Sequence, residues 1–129
     1  GDPRIENILF TVKSSNFVFL DYDTFMIGSV YTDIGDCLRS LILVSDNLDS
    51  KKIITEFILG YNAVNKESKV LYAKAVHAVK YIALELCLRF MIDSVEKSYF
   101  SWDGKKYKSH EAYSEARALA SWDLFNTLS

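Results

Sequence analysis

Three polar side chains near the start of the chain have the types and spacing of a phosphoryl-transfer site. Asp2 and Asn7 stand in a D-x-x-x-x-N spacing, and Asp21 follows the apolar run 17–20. Enzymes that transfer phosphate use one carboxylate to orient a hydroxyl group, and an amide oxygen and a second carboxylate to hold Mg²⁺. These hard oxygen ligands suit Mg²⁺, whereas Zn²⁺ prefers Cys and His.

A predicted β-hairpin brings two of these side chains together. Residues 8–12 and 17–20 are rich in β-branched and aromatic residues, and the polar segment 13–16 between them indicates a four-residue turn. A hairpin returns the chain to the end from which it started. Asn7 and Asp21, which are 14 residues apart, can therefore share one cation.

The rest of the chain has a helical pattern. After a loop over 22–30, apolar residues recur at spacings of three and four, which predicts helices over 33–44, from 49 or 50 to about 65, from 68 to about 95 and from about 109 to 128. Thr32 or Asp33 is the expected cap of the first helix. In the last helix, Ala116 and Leu119 are among the residues expected to face inward. We predict an α+β, mainly α fold: a small β-hairpin followed by about four helices.

Composition limits the possible functions. A chain of 129 residues allows one domain. Half of its residues are apolar, which is enough to fill a hydrophobic core. The net charge is −2 without a basic run, which argues against nucleic acid or an anionic membrane as partner. No apolar run is long enough to span a membrane. Cys37 and Cys87 fall in apolar helical patterns, which predicts free thiols in a reducing compartment such as the cytoplasm.

The motifs resemble a known superfamily when they are taken together. Gly1-Asp2-x-x-x-x-Asn7, then Leu20-Asp21-Tyr-Asp23-Thr24 with Gly28, then Tyr31-Thr-Asp33-Ile-Gly35-Asp36-x-x-Arg39 resemble the aminoglycoside phosphotransferase and choline kinase-like superfamily. The nearest subgroup is the N-acetylhexosamine 1-kinase-like sugar kinases, which read H-G-D-x-x-x-x-N, I-D-x-D-T-x-x-x-G and Y-D-x-G-D-x-x-R. The segment from Leu88 to Asp93 and Arg117 also resemble the C-terminal helices of that subgroup, more weakly.

The resemblance implies a protein-kinase-like fold and assigns a role to individual residues. Residues 1–129 would form most of its C-terminal lobe, which carries the catalytic loop and binds the acceptor. Asp2 would be the catalytic base or the carboxylate that orients the hydroxyl. Asn7 and Asp21 would hold Mg²⁺, and Asp33 would brace the catalytic loop through backbone N–H groups. ATP or another nucleoside triphosphate would be the phosphate donor.

The chain departs from the family pattern in two respects. The family's His before Gly1 falls outside the sequence, and so does the N-terminal lobe that makes most nucleotide contacts. Because the chain opens inside its best motif, we expect it to be the downstream part of a longer protein and to be inactive as an isolated fragment.

Several polar residues have more than one interpretation. Asp23 is a second metal-site oxygen or a loop cap, and Asp36 is a substrate ligand or a charge at the start of a helix. Arg89 contacts a sugar or phosphate, or pairs with Glu85 four residues earlier. His77 and His110 lack partners at ligand spacing and are expected to be solvated or capping.

These observations favour an ATP- and Mg²⁺-dependent kinase whose acceptor is a small-molecule alcohol, with a sugar or amino sugar expected. The alternative from a different class is a non-catalytic helical module, comparable to a pseudokinase, that binds a partner. Pairing of two copies into a homodimer is a third possibility, since an isolated lobe would expose a sheet edge and apolar surface.

Overall fold

The computed structural model describes residues 2–11, 16–24, 26–45 and 48–128. Over these residues the fold is α+β and mainly α, as predicted. The strands are β1 (Ile8–Phe10) and β2 (Phe17–Phe19), and the helices are α1 (Val30–Val44), α2 (Ser50–Val64), α3 (Tyr72–Glu96) and α4 (His110–Thr127). Short 3₁₀ turns cover Ile5–Asn7 and Tyr22–Thr24. The chain forms two compact units, Gly1–Val79 and Lys80–Ser129, whose boundary falls within α3.

The predicted hairpin is confirmed. β1 and β2 are antiparallel, and Ile8 lies opposite Phe19. The backbone N–H of Leu20 donates to the carbonyl of Asn7 at 2.7 Å, which extends the pairing one residue beyond the strands. Of the predicted turn, residues 13–15 lie outside the described residues.

The first helix begins earlier than predicted because a different residue caps it. Ser29 is the N-cap of α1, and its hydroxyl accepts a hydrogen bond from the Tyr31 N–H. The expectation that Thr32 or Asp33 caps this helix is therefore wrong. Both lie inside its first turn, where the negative charge of Asp33 interacts favourably with the helix dipole.

The second helix begins where predicted, and the third begins later. Asp49 caps α2 by accepting from the Lys51 N–H. The Asn62 side chain bonds both backbone groups of Val70, accepting from its N–H at 2.8 Å and donating to its carbonyl at 2.9 Å. With both groups of Val70 engaged by α2, the helix expected from Ser68 starts at Tyr72.

The first unit has a core of aliphatic side chains. Leu38 of α1 and Ile54 of α2 are fully buried, and other buried members are Ile34, Ile58, Val70, Ala75, Val76 and Val79. This core fixes α1, which in turn contacts the turn Ile5–Asn7. The hairpin, in contrast, is largely solvent-exposed, since Phe10 and Phe17 are 65% and 54% exposed.

The second unit is organised around the buried carboxylate of Asp93 in α3. It accepts hydrogen bonds from the backbone N–H groups of Tyr99 and Phe100, at 2.8 and 3.3 Å, and from the Ser114 hydroxyl at 3.1 Å. It thereby ties the segment after α3 to α4. Beside it, the rings of Phe90 and Phe100 stack with centroids 4.2 Å apart.

The predicted inward face of α4 is partly wrong. Leu119 is 62% exposed and Ala116 is also exposed, whereas Ser114, Ala118, Ser121 and Leu124 are buried. Small residues occupy most of the true contact face, so the hydrophobic pattern does not reveal it. Among the described residues, no helix has the length and apolar character to cross a membrane.

We predict that Asp93→Asn makes the stability of the fold toward urea less dependent on pH. Burial opposes ionisation of Asp93, but the N–H groups of Tyr99 and Phe100 and the Ser114 hydroxyl outweigh it, so its pKa lies below the usual value. A lowered folded-state pKa stabilises the fold above the unfolded-state pKa, about 3.9, and this stabilisation disappears as the pH falls through the folded-state value. The urea midpoint of the variant should therefore be lower at pH 7 and approach that of the unaltered protein below about pH 4.

Asp123→Asn, at an exposed position on α4, is the matched control and should leave the midpoint unchanged throughout. A deficit of Asp93→Asn that persists undiminished to pH 2 would contradict the proposed carboxylate interactions.

Candidate functional site

One cleft in the first unit gathers the three polar residues that the sequence singled out. Its volume is about 420 Å³. The polar lining comprises Asp2, Asn7, Asp21, Thr24 and Asp33, and the apolar lining comprises Pro3, Phe19, Leu20, Met26 and Ile27. Residues from the loop, the hairpin and the start of α1 thus face a common space. Their chemical roles remain predictions.

The hairpin positions Asn7 and Asp21. The Leu20 N–H donates to the Asn7 carbonyl, so the residue before β1 is held beside the residue that precedes Asp21. Asp21 has a φ of 62°, in the left-handed region, which Asp tolerates better than most residues. Its carbonyl accepts a hydrogen bond from the Thr24 hydroxyl at 3.0 Å, which stabilises the bend where the chain leaves the hairpin.

Asp2 is held by a neighbouring arginine. Arg4 donates from Nε and Nη2 to the two carboxylate oxygens of Asp2, each at 2.6 Å. Burial opposes ionisation of Asp2, but the Arg4 guanidinium outweighs it, so the pKa of Asp2 is lowered. Asp2 is therefore an ionised acceptor near neutral pH. No role of Arg4 was predicted from the sequence, in which the available signal was a basic residue two positions after the candidate carboxylate.

Asp21 is exposed and lies in a negative environment. A side-chain hydrogen bond with Asp23 and the charge of Asp23 raise the pKa of Asp21, and the charge of Asp2 adds to the effect. Asp23 itself is not part of the cleft lining. Carboxyl groups that repel one another in this way gain stability when a cation lies between them. The arrangement therefore fits the predicted cation site.

The amide of Asn7 is oriented by the loop. Its Nδ2 donates to the Asp2 carbonyl at 2.9 Å. This bond orients the amide through its nitrogen, and Oδ1 is the atom of the amide that can act as a cation ligand. Asn7 Oδ1 and the Asp21 carboxylate are hard oxygens of the kind that bind Mg²⁺, which keeps several water ligands.

Among the described residues, no group of three or more His, Cys, Asp or Glu side chains is placed to hold a metal ion. A site made of one amide and one carboxylate is of a different kind, so its roles stay as predicted.

Two acidic residues of α1 differ in whether they line the cleft, and so in whether they could contact a substrate there. Asp33 lines the cleft, whereas Asp36 does not. Asp36 instead accepts from Nε and Nη2 of the buried Arg39, at 2.9 and 2.7 Å. Burial raises the pKa of Asp36, although Arg39 opposes the rise. The geometry thus favours a structural pair at Asp36, and the brace role of Asp33 remains a prediction.

Arg89 and His110 belong to the second unit. Arg89 pairs with Glu85 at 2.5 Å and donates to the Tyr99 hydroxyl at 3.3 Å, as the ion-pair interpretation predicted. The prediction that His110 is solvated or capping is wrong, since Ser109 is the N-cap of α4 and His110 is largely buried. Its side chain is 11% exposed, and Nε2 lies 2.8 Å from the Asp93 carboxylate. Since that contact lacks hydrogen-bond geometry, we interpret it as electrostatic.

Comparisons with protein-family models, with curated proteins and with solved structures each gave no match.

We predict that Asp23→Asn lowers the pKa of Asp21 when no divalent cation is present. The substitution removes the charge and the carboxyl hydrogen bond that are the two largest causes of the rise, so the pKa of Asp21 should fall toward the usual value for Asp. Side-chain carboxyl ¹³C shifts followed by NMR from pH 2 to 7 measure this. Asp49→Asn, at the N-cap of α2, is the control and should not move the Asp21 titration. An unchanged Asp21 curve in Asp23→Asn would show that the two carboxyls do not interact.

Proposed function

We propose that this chain is the C-terminal lobe of an ATP- and Mg²⁺-dependent kinase that phosphorylates a small-molecule alcohol, with a sugar or amino sugar as the acceptor. The observation that supports the proposal is the shared cleft: Asp2 and Asn7, which precede the hairpin, and Asp21, which follows it, line one space. The motif resemblance adds the kinase-like fold. In this proposal the nucleotide-binding lobe is formed by residues other than these 129.

Asp2 receives the acceptor hydroxyl. Its lowered pKa makes it a weak base, which suits a carboxylate that orients the hydroxyl more than one that removes its proton early. Such a role fits phosphoryl transfer, in which positioning and charge stabilisation supply most of the catalysis. Arg4 takes up one acceptor position on each carboxylate oxygen of Asp2, so each oxygen keeps a further acceptor position for the hydroxyl.

Asn7 and Asp21 hold the cation. When bound there, Mg²⁺ would supply positive charge that offsets the negative charge developing on the transferred group. The protein contributes the amide oxygen of Asn7, whose orientation the Asp2 carbonyl fixes, and the Asp21 carboxylate at the end of the hairpin.

The cleft wall suits an acceptor with polar edges and an apolar face. Phe19, Leu20, Met26 and Ile27 provide an apolar surface, and carboxylates lie at its border. A sugar ring has hydroxyl groups at its edge and C–H groups on its faces, so both kinds of surface are used.

Nucleophilic catalysis by a thiol is a poor alternative. Burial raises the pKa of Cys37 in α1 to about 11, so this thiol is protonated near neutral pH. Both cysteines are free, as predicted. We place the kinase in the cytoplasm, where free thiols and Mg²⁺–ATP coexist.

A second candidate function is a non-catalytic interaction module. It is favoured by two observations: Arg4 occupies both oxygens of Asp2, and the hairpin exposes Phe10, Phe17 and Val18 by half or more. An exposed apolar hairpin is a surface for a partner or for a second copy of the chain. Light scattering distinguishes a homodimer from a monomer.

We predict that Asp2→Asn and Asp21→Asn each reduce phosphate transfer at least about a hundredfold, since one removes the hydroxyl acceptor and the other a cation ligand. Transfer from Mg²⁺–ATP to a panel of sugars and amino sugars is measured with protein that includes the nucleotide lobe. Asp123→Asn, on the exposed surface of α4, should retain full activity.

Calorimetric titration with Mg²⁺–ATP separates the two candidate functions. The kinase proposal expects weak or absent binding by the 129 residues alone and clear binding when the nucleotide lobe is present. Failure of that longer protein to bind, or near-normal transfer by Asp2→Asn, would favour the interaction module.

A further inference from the structure

A buried serine of α1 connects the helix to the loop between Asp2 and Asn7. Ser40 is 2% exposed. Its hydroxyl oxygen accepts a hydrogen bond from the Ile5 N–H at 2.9 Å, across 35 residues of sequence. The same hydroxyl donates to the Cys37 carbonyl at 2.8 Å within the helix.

The bond to Cys37 fixes the direction in which Ser40 can accept. A serine hydroxyl has one proton and two acceptor positions. Donation to a carbonyl in the preceding turn of its own helix immobilises the proton, which leaves the lone pairs directed away from the helix. The Ile5 N–H lies at that position. The hydroxyl is therefore a fixed acceptor rather than a rotating one.

The acceptor meets a need of the loop. Ile5 is the first residue of the turn Ile5–Asn7, and the first N–H groups of a helical turn have no partner within it. Such groups are usually satisfied by a side chain at the N-cap. Here the N-cap is Arg4, which makes no side-chain capping bond. Its guanidinium is committed to Asp2, and Ser40 supplies the missing acceptor from another element.

We propose that Ser40 is the positioning residue of the candidate site, holding the Ile5–Asn7 turn against α1 so that Asp2 and Asn7 keep their places in the cleft. The inference rests on the proposed function. Asp33, Asp36 and Ser40 recur at i, i+3 and i+7 and so share one face of α1. Helix α1 therefore contributes Asp33 to the cleft and, through Ser40, anchors the loop that carries Asp2 and Asn7.

The test compares Ser40→Ala with two other variants. Ser40→Ala removes the acceptor without adding volume, and Ser40→Thr restores a hydroxyl. Ser45→Ala is the matched control, because Ser45 is the C-cap of the same helix and its hydroxyl donates to the Leu41 carbonyl at 2.7 Å. NMR follows amide hydrogen exchange at Ile5 and the side-chain NH₂ signals of Asn7 in the 129-residue chain. Kinetics of phosphate transfer are measured with protein that includes the nucleotide lobe.

In Ser40→Ala we expect exchange at Ile5 to rise roughly three- to tenfold, the change that loss of one ordinary hydrogen bond produces. The Asn7 NH₂ signals should shift, and kcat should fall at least about threefold with KM for the sugar little changed, because orientation rather than acceptor binding is lost. Ser40→Thr should recover these properties, and Ser45→Ala should show none of the changes.

Unchanged Ile5 exchange and Asn7 signals in Ser40→Ala would overturn the inference, as would equal effects in Ser45→Ala. A different result marks failure of the proposed function. If no variant, including the unaltered protein, transfers phosphate while the NMR changes occur as expected, the anchoring contact is supported and the kinase assignment is wrong.

Discussion

The candidate site depends on one backbone hydrogen bond, from the Leu20 N–H to the Asn7 carbonyl. It is the last rung of a ladder whose strands have only three residues each. An isolated two-stranded hairpin is marginal in water, and both faces of this one are largely exposed. Its register must therefore be supported from outside. A shift of one residue would place Asp21 on the other face of the hairpin, away from Asn7.

That support comes from α1. The helix is fixed by Leu38, which is fully buried in the core of the first unit, and through Ser40 it holds the turn from which β1 emerges. The core thus fixes the position of the helix, the helix fixes the turn, and the turn fixes the start of the hairpin. An accurately placed site on short strands and loops requires such an arrangement, because loops alone hold side chains less precisely than packed elements.

The sequence predicted what local chemistry determines. The hairpin and the start of α2 were predicted correctly, because β-branched runs and the side chains at a helix start act through near neighbours. The start of α3 was not, because it is set by Asn62 eight residues before Val70. The contact between Ser40 and Ile5 was not predicted for the same reason. A serine within a helical pattern carries no sign that it bonds a residue 35 positions away. Spacing identified Asp2, Asn7 and Asp21, and the predicted hairpin already brought Asn7 and Asp21 together. The apolar wall of Met26 and Ile27 required the fold.

The Arg4–Asp2 pair raises the question of whether Asp2 is accessible to a substrate. The two side chains are 42% and 24% exposed, so water and salt screen their attraction, and a pair of this kind contributes about 1 kcal/mol or less. A nucleotide bound with micromolar affinity supplies about 8 kcal/mol in total. Releasing one oxygen of Asp2 therefore costs a small part of what ligand binding provides. The pairing keeps the carboxylate ionised and oriented, and it does not in itself argue against the proposed catalysis.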